Sequence, residues 1–288
     1  MSRRAIVAAA GSGKTRELVH GVLHEASPER ILLTTYTDNG QTALRSAARD
    51  LIRQASEAAR PTTWLRELPP LPDDEPEPLP PHDAWAVHNI SERLVKGVNK
   101  GTLERAMALV LNGLATTDAS QYEAALTELG RFLGSESYKP EGTGMCDSAW
   151  CWNELLWLAL EAKSEQRPDG FISLADIRQA NTHLPLLAHQ RGLDAPPMDS
   201  ATLIISPRQR VAEEGVVAAD NNLYLVDVGN ILAVANDVQR AWTKMLAYQH
   251  GAEHQQLTNL VTQTLSTLSL LPSQVRDRLT ATPIRGCA

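Results

Sequence analysis

Between residues 61 and 84 the chain carries eight prolines: Pro61, Pro69, Pro70, Pro72, Pro76, Pro78, Pro80 and Pro81. Proline has no backbone N–H and a fixed φ, so neither a long helix nor an inner strand can run through such a density. Asp73, Asp74, Glu75 and Glu77 are interleaved with them. The expected result is an extended, acidic, solvated linker. It separates a short segment (1–60) from a larger body (85–250), which a helical tail (251–288) follows. A chain of 288 residues has room for about two domains of ~100–200 residues each.

Hydrophobic residues at 43% and charged residues at 21% support packed cores and exclude wholesale disorder. The net charge of −7 excludes a uniformly basic coat. It does not exclude nucleic acid, because binding depends on where Lys and Arg cluster. No apolar run reaches the ~18 residues of a membrane span, so no membrane partner is expected. The opening Met1-Ser2-Arg3-Arg4 does not lead into a signal or transit peptide, and three cysteines fit a reduced compartment. A cytoplasmic location is the resulting expectation. The oligomeric state is left open.

In the first segment, Ala5 to Ala10 reads as a short strand. Gly11-Ser12-Gly13-Lys14-Thr15 follows, then a helix from Arg16 to Leu23. Glycines let backbone N–H groups close around phosphate oxygens, and the helix N-terminus adds its dipole. Lys14 would reach the β/γ-phosphates of ATP, and the Thr15 hydroxyl would meet Mg²⁺. The next strand, Ile31 to Thr37, leads to Leu44-Arg45 in a helix. With Ala8 in place of the first glycine, this stretch resembles superfamily 1 helicases of the UvrD/Rep kind over about residues 4–58. That resemblance implies ATP binding and contact with single-stranded DNA. No Asp-Glu strand end of Walker B type and no second helicase domain accompany it. Tyr224-Leu225-Val226-Asp227 reads as an ordinary sheet strand. Nucleotide binding is therefore expected, without a complete motor.

The body begins with helices over 85–134. Strands are expected at Ser148–Trp152 and Leu155–Leu160, joined by a turn at Asn153-Glu154. Further expectations are a helix over 173–190, a strand at Ala201–Ile205, a helix over 208–214, a strand at Leu223–Val228, and helices over 231–249 and 255–270. The mixture points to an α/β fold with a mixed sheet. Asp147 starts one strand of the hairpin. Glu161 and Lys163, two apart, end the other and share a face. The turn brings Asp147 and Glu161 to one end. Two converging carboxylates suit Mg²⁺ or Mn²⁺, which activates water and clamps a phosphoryl oxygen. Lys163 can orient that water or stabilise developing charge. An ion-paired strand end without chemistry is the plainer alternative.

This Asp…Glu-x-Lys pattern resembles the PD-(D/E)xK nucleases of the restriction-endonuclease-like fold, over about residues 100–245. The helix Glu123 to Leu133, the Pro140-Glu141-Gly142 loop and the helix Ile172 to Gln179 strengthen it. Cys146 stands where the family usually has proline. The resemblance implies a metal-dependent nuclease acting on DNA, with Asp147 and Glu161 on the metal, Lys163 beside the water and Gln179 facing the site. Glu128 would help from the first helix, or be merely solvated. A non-catalytic nucleotide- and DNA-binding module that works with a helicase or other protein partner is the rival reading, and an ATP-dependent helicase fragment a third. Trp150, Trp152 and Trp157 fit core packing. Cys146 and Cys151 lack the partners zinc needs. His183 and His189 read as helix-surface residues. Arg208 and Arg210 would meet phosphates or solvent.

Overall fold

The computed structural model describes residues 78–249 and 253–286. The phosphate-loop residues Gly11, Ser12, Gly13, Lys14 and Thr15 lie outside them, as does most of the proline-rich stretch. The expected linker also ends sooner: helix α1 spans Pro81–Val95. Proline at the first helical position loses no intrahelical hydrogen bond, and its φ already suits the helix. Ala86, Val87, Ile90 and Leu94 form the buried face of α1.

Helix α2 (Lys100–Leu114) is capped by Asn99, which accepts from the Thr102 N–H at 3.0 Å. Helix α3 (Ala119–Phe132) is capped by Asp118, which accepts from the Gln121 N–H at 2.9 Å. Side-chain caps of this kind satisfy helix-end donors that nothing else reaches. The two helices approach so closely that a Cβ on Gly113 would lie 2.7 Å from the Ala125 Cβ.

Five strands follow in sheet order β1 (Glu136–Tyr138), β2 (Ser148–Trp152), β3 (Leu156–Ala162), β4 (Ala201–Ile205) and β5 (Leu223–Val226). β1, β2 and β3 pair antiparallel, and β3, β4 and β5 pair parallel. The mixed α/β sheet is thus as expected. Between β3 and β4 lie α4 (Leu174–Asn181) and α5 (His183–Gln190). Helix α6 (Glu213–Ala218) connects β4 to β5. Every residue of β2, β3 and β4 is buried, as strands covered on both faces must be.

Alternation sends successive side chains to opposite faces. Trp150, Trp152, Leu158 and Leu160 join the large core with α1 and α3. The indole N–H groups of Trp150 and Trp152 donate to the Leu126 and Leu133 carbonyls at 3.0 and 3.1 Å. Ala149, Cys151, Trp157 and Ala159 face the other way, against Leu184, Leu187 and Ala188 of α5.

Helices α7 (Val228–Ala247), α8 (His254–Thr267) and α9 (Pro272–Leu279) complete the large core. Buried Asp83 of α1 accepts from the Ser273 N–H at 2.8 Å and from its hydroxyl at 2.6 Å. The C-terminal helices therefore share the core of the sheet. No helix among the described residues is long and apolar enough to cross a membrane.

Local expectations differ in places: the single helix expected over 173–190 is two, α4 and α5, divided at Thr182. Residues 208–210 are extended, not helical, and the next helix starts only at Glu213. Here the chain is held alongside Ile172, whose N–H donates to the Arg210 carbonyl at 2.8 Å. The short edge strand β1 and helix α9 carry too little periodic signal to stand out in sequence.

Candidate active site

The antiparallel register pairs Ser148 with Leu160. That places Asp147, one residue before β2, beside Glu161. The Asp147 N–H donates to the Leu160 carbonyl at 2.9 Å, and the Ala162 N–H donates to Asp147 Oδ2 at 2.8 Å. The hairpin turn at Asn153, with φ of 54°, fixes this register. Asp147 and Glu161 thus meet at one end of the hairpin, as their positions predict.

Glu161 shares the face of Trp157 and Ala159, the face that α4 and α5 cover. Three side chains close on its carboxylate. Lys163 Nζ lies 2.9 Å from Oε1, the Gln179 amide donates to Oε1 at 3.2 Å, and His183 Nε2 lies 2.8 Å from Oε2. Lys163 follows the end of β3. Its N–H donates to the Ile205 carbonyl at 2.8 Å, and its ammonium also lies 3.6 Å from Asp176. Asp176 belongs to the capping box that starts α4, in which it also accepts from the Ser173 N–H and hydroxyl. The site therefore joins the hairpin end to the start of the α4 helix.

The electrostatics are asymmetric. Burial pushes the Asp147 carboxyl up, and the nearby charge of Glu161 pushes it further. The Ala162 N–H pulls the other way, and the balance stands at about 6. Burial also opposes ionisation of Glu161. The bonds from His183 and Lys163 outweigh it and hold Glu161 below the usual carboxylate range. Burial disfavours the Lys163 ammonium, but its bond to Glu161 and the surrounding carboxylates raise it above the ordinary lysine value. One acid is thus firmly ionised while its neighbour holds a proton more readily, a separation of the kind found at functional sites.

His183 is not on the surface: it is fully buried at the start of α5. Its Nδ1 lies 3.0 Å from the Gly144 carbonyl, so the ring spans the distance from the glycine loop to Glu161. Its distance of four residues from Gln179 hints at a shared side, but burial is not legible from that spacing. His189 is exposed, as expected. Glu128 pairs with Arg131 at 2.8 Å. Nearer the acids from α3 is Glu123, ion-paired with Lys139. The Lys139 ammonium is raised mainly by its bond to Glu123, with smaller contributions from Asp147 and Glu161. Cys146 and Cys151 are buried free thiols. Asp227 caps α7 by accepting from the Gly229 N–H at 2.8 Å, as befits the end of an ordinary strand.

Two carboxylates are hard oxygen donors of the kind a divalent cation takes, although both Glu161 oxygens already have partners in Lys163, Gln179 and His183. Asp147 Oδ1 has no hydrogen-bond partner among the described residues, and a cation would relieve the proximity that raises Asp147. Among the described residues no three His, Cys, Asp or Glu side chains converge to cage a metal. Mg²⁺ suits two carboxylates, because it keeps several of its waters.

Residues 2–128 match the family model described as the UvrD/REP helicase N-terminal domain. The match covers less than half of the chain, includes α1, α2 and much of α3, and stops before Asp147. No curated protein and no solved structure matches the chain. What the match supports is an ATP-binding, helicase-like N-terminal segment of the kind that works on nucleic acid.

Proposed function

We propose that the chain is a metal-dependent nuclease of the PD-(D/E)xK type, coupled to an ATP-binding helicase-like segment. The observation that carries this reading is the meeting of Asp147 and Glu161 across the hairpin end, with Lys163 2.9 Å from Glu161. A bound Mg²⁺ would polarise a phosphodiester oxygen and supply an activated water. Asp147 and Glu161 would hold it. Lys163 would orient the attacking water and stabilise charge on the scissile phosphate. Gln179 and His183 fix the Glu161 carboxylate, and Asp176 steadies Lys163. In the N-terminal segment, Gly11, Ser12, Gly13, Lys14 and Thr15 would cradle ATP phosphates.

The test is degradation of single- and double-stranded DNA with Mg²⁺ or Mn²⁺. Asp147→Asn and Lys163→Ala should each lose at least about a hundredfold in rate, within the range expected for positioned electrostatic groups. Undiminished cleavage in both variants refutes the assignment.

A second reading has its own support. Both Glu161 oxygens already accept bonds, from Lys163, Gln179 and His183. A carboxylate so occupied suits a domain that binds nucleic acid without cutting it. Such a chain would bind DNA and ATP and show no metal-dependent cleavage at all. Loss of ATP binding in Lys14→Ala would support the helicase-like half under either reading.

A further inference from the structure

The parallel strands β3 and β4 both end beside the acidic site, and each runs into a loop that the fold ties to the other. The Ile172 N–H donates to the Arg210 carbonyl at 2.8 Å, and the Ala212 N–H donates to the Ile172 carbonyl at 3.1 Å. Arg208 clamps the pair. Its Nε donates to the Arg167 carbonyl at 3.2 Å and its Nη1 to the Phe171 carbonyl at 3.1 Å. The guanidinium lies over Gly170, where a Cβ would come within 3.3 Å of Nε. Nη2 has no acceptor among the described residues.

On this ledge Phe171 is held 51% exposed. The Arg210 guanidinium carbon sits over its ring, 4.8 Å from the centroid. Core packing does not account for an aromatic ring presented to solvent beneath a cation. Arg167, Arg208 and Arg210 have no ion-paired carboxylate among the described residues, although Glu165, Asp169, Glu213 and Glu214 lie in or next to the same loops. Their charge is therefore not spent on a fixed internal pair. A planar π-face beside guanidinia that no carboxylate neutralises is the chemistry that recognises an unpaired base and its flanking phosphates. A duplex keeps its base faces stacked inside and offers no partner to Phe171.

We propose that the ledge of residues 163–172 and 206–212 binds single-stranded nucleic acid, with Phe171 and Arg210 stacking a base and Arg208 and Arg167 holding adjacent phosphates. This deepens the nuclease reading and rests on it for the site to which the strand is delivered. The C-terminal ends of parallel strands are the usual place for ligands in such sheets.

The test is fluorescence anisotropy of the full chain with labelled oligo(dT), oligo(rU) and a blunt duplex. EDTA is present and ATP absent, so neither cleavage nor the motor segment's nucleotide state enters. Phe171→Leu should weaken oligo(dT) binding about tenfold and change duplex binding by less than about twofold, while Phe171→Trp retains it. Arg208→Ala should reduce the salt slope by about one. Comparison of the dT and rU arms tells which sugar the ledge accepts. Wild-type binding by Phe171→Leu, equal loss on strand and duplex, or no single-strand binding by the native chain each overturns the proposal. A native chain that binds oligo(dT) in EDTA but cuts neither strand nor duplex with Mg²⁺ or Mn²⁺ refutes the nuclease reading and leaves the ledge standing.

Discussion

Asp147 and Glu161 make opposite demands on the same pocket. Asp147 has a folded value of about 6, above the ordinary aspartate value, because burial and Glu161 both resist its charge. A carboxyl raised on folding binds more protons in the native state than in the unfolded chain. Its ionisation therefore costs stability as pH rises from about 4 to about 6, and the cost persists above that. In EDTA, Asp147→Asn should raise the thermal midpoint at pH 8 and leave it nearly unchanged at pH 4. The gain corresponds to about 1–2 kcal/mol after allowance for solvent screening. An equal shift at both pH values would show that the charge is not the cause. Glu161 acts in the other sense: its lowered value stabilises the fold above the unfolded glutamate range, and that contribution is lost as acid protonates it. His183→Leu leaves Glu161 Oε2 and the Gly144 carbonyl without their ring partner. The expected loss is about 2–4 kcal/mol by chemical denaturation, with His183→Gln recovering part of it. Asp147, Glu161 and Lys163 were legible from spacing and the turn. His183 was not, because a histidine in a helical stretch looks alike whether it faces solvent or a carboxylate.

At the level of elements, close approach decides which glycines matter. Gly130 of α3 lies against β1 and β2, where a Cβ would sit 2.5 Å from Trp150 Cδ1 and 2.6 Å from Ser137 Oγ. Gly130→Ala should therefore destabilise by about 1–3 kcal/mol, since the packed indole cannot move away. Gly101, in the first turn of α2, has only the Asn99 Oδ1 within reach, at 3.6 Å. Gly101→Ala should stabilise by up to about 1 kcal/mol through helix propensity. Parallel urea titrations of the two variants check the contrast. The hairpin of β2 and β3 was legible because its alternation and its Asn153 turn are local. The stretch 208–214 misled because the extended form of residues 208–210 is imposed by Ile172, some forty positions earlier.

For the whole molecule, Pro78–Ala288 forms one compact unit. Residues 78–288 expressed alone should unfold in one cooperative transition, and truncation after residue 268 should abolish it. The truncation removes α9, Leu270, Leu271, Val275 and Leu279 from the large core, and the Ser273 partner of buried Asp83. Circular dichroism melts of both fragments decide this: a native-like melt of the shorter one would show that the C-terminal helices are dispensable. The proline density constrains the chain by itself, because proline's geometry is covalent and needs no partner, although α1 already starts at Pro81, inside the expected linker. The same holds for the strand–acid–turn–strand order that brings Asp147 to Glu161, since period and turn chemistry act between near neighbours. Only the tertiary structure decided what surrounds those acids. Gln179 and His183 reach Glu161 because α4 packs over β4 and α5 over β3, and Phe171 is left exposed because two distant loops bond to each other. Burial and long-range hydrogen bonds depend on which surfaces meet, and no local pattern of residues specifies that.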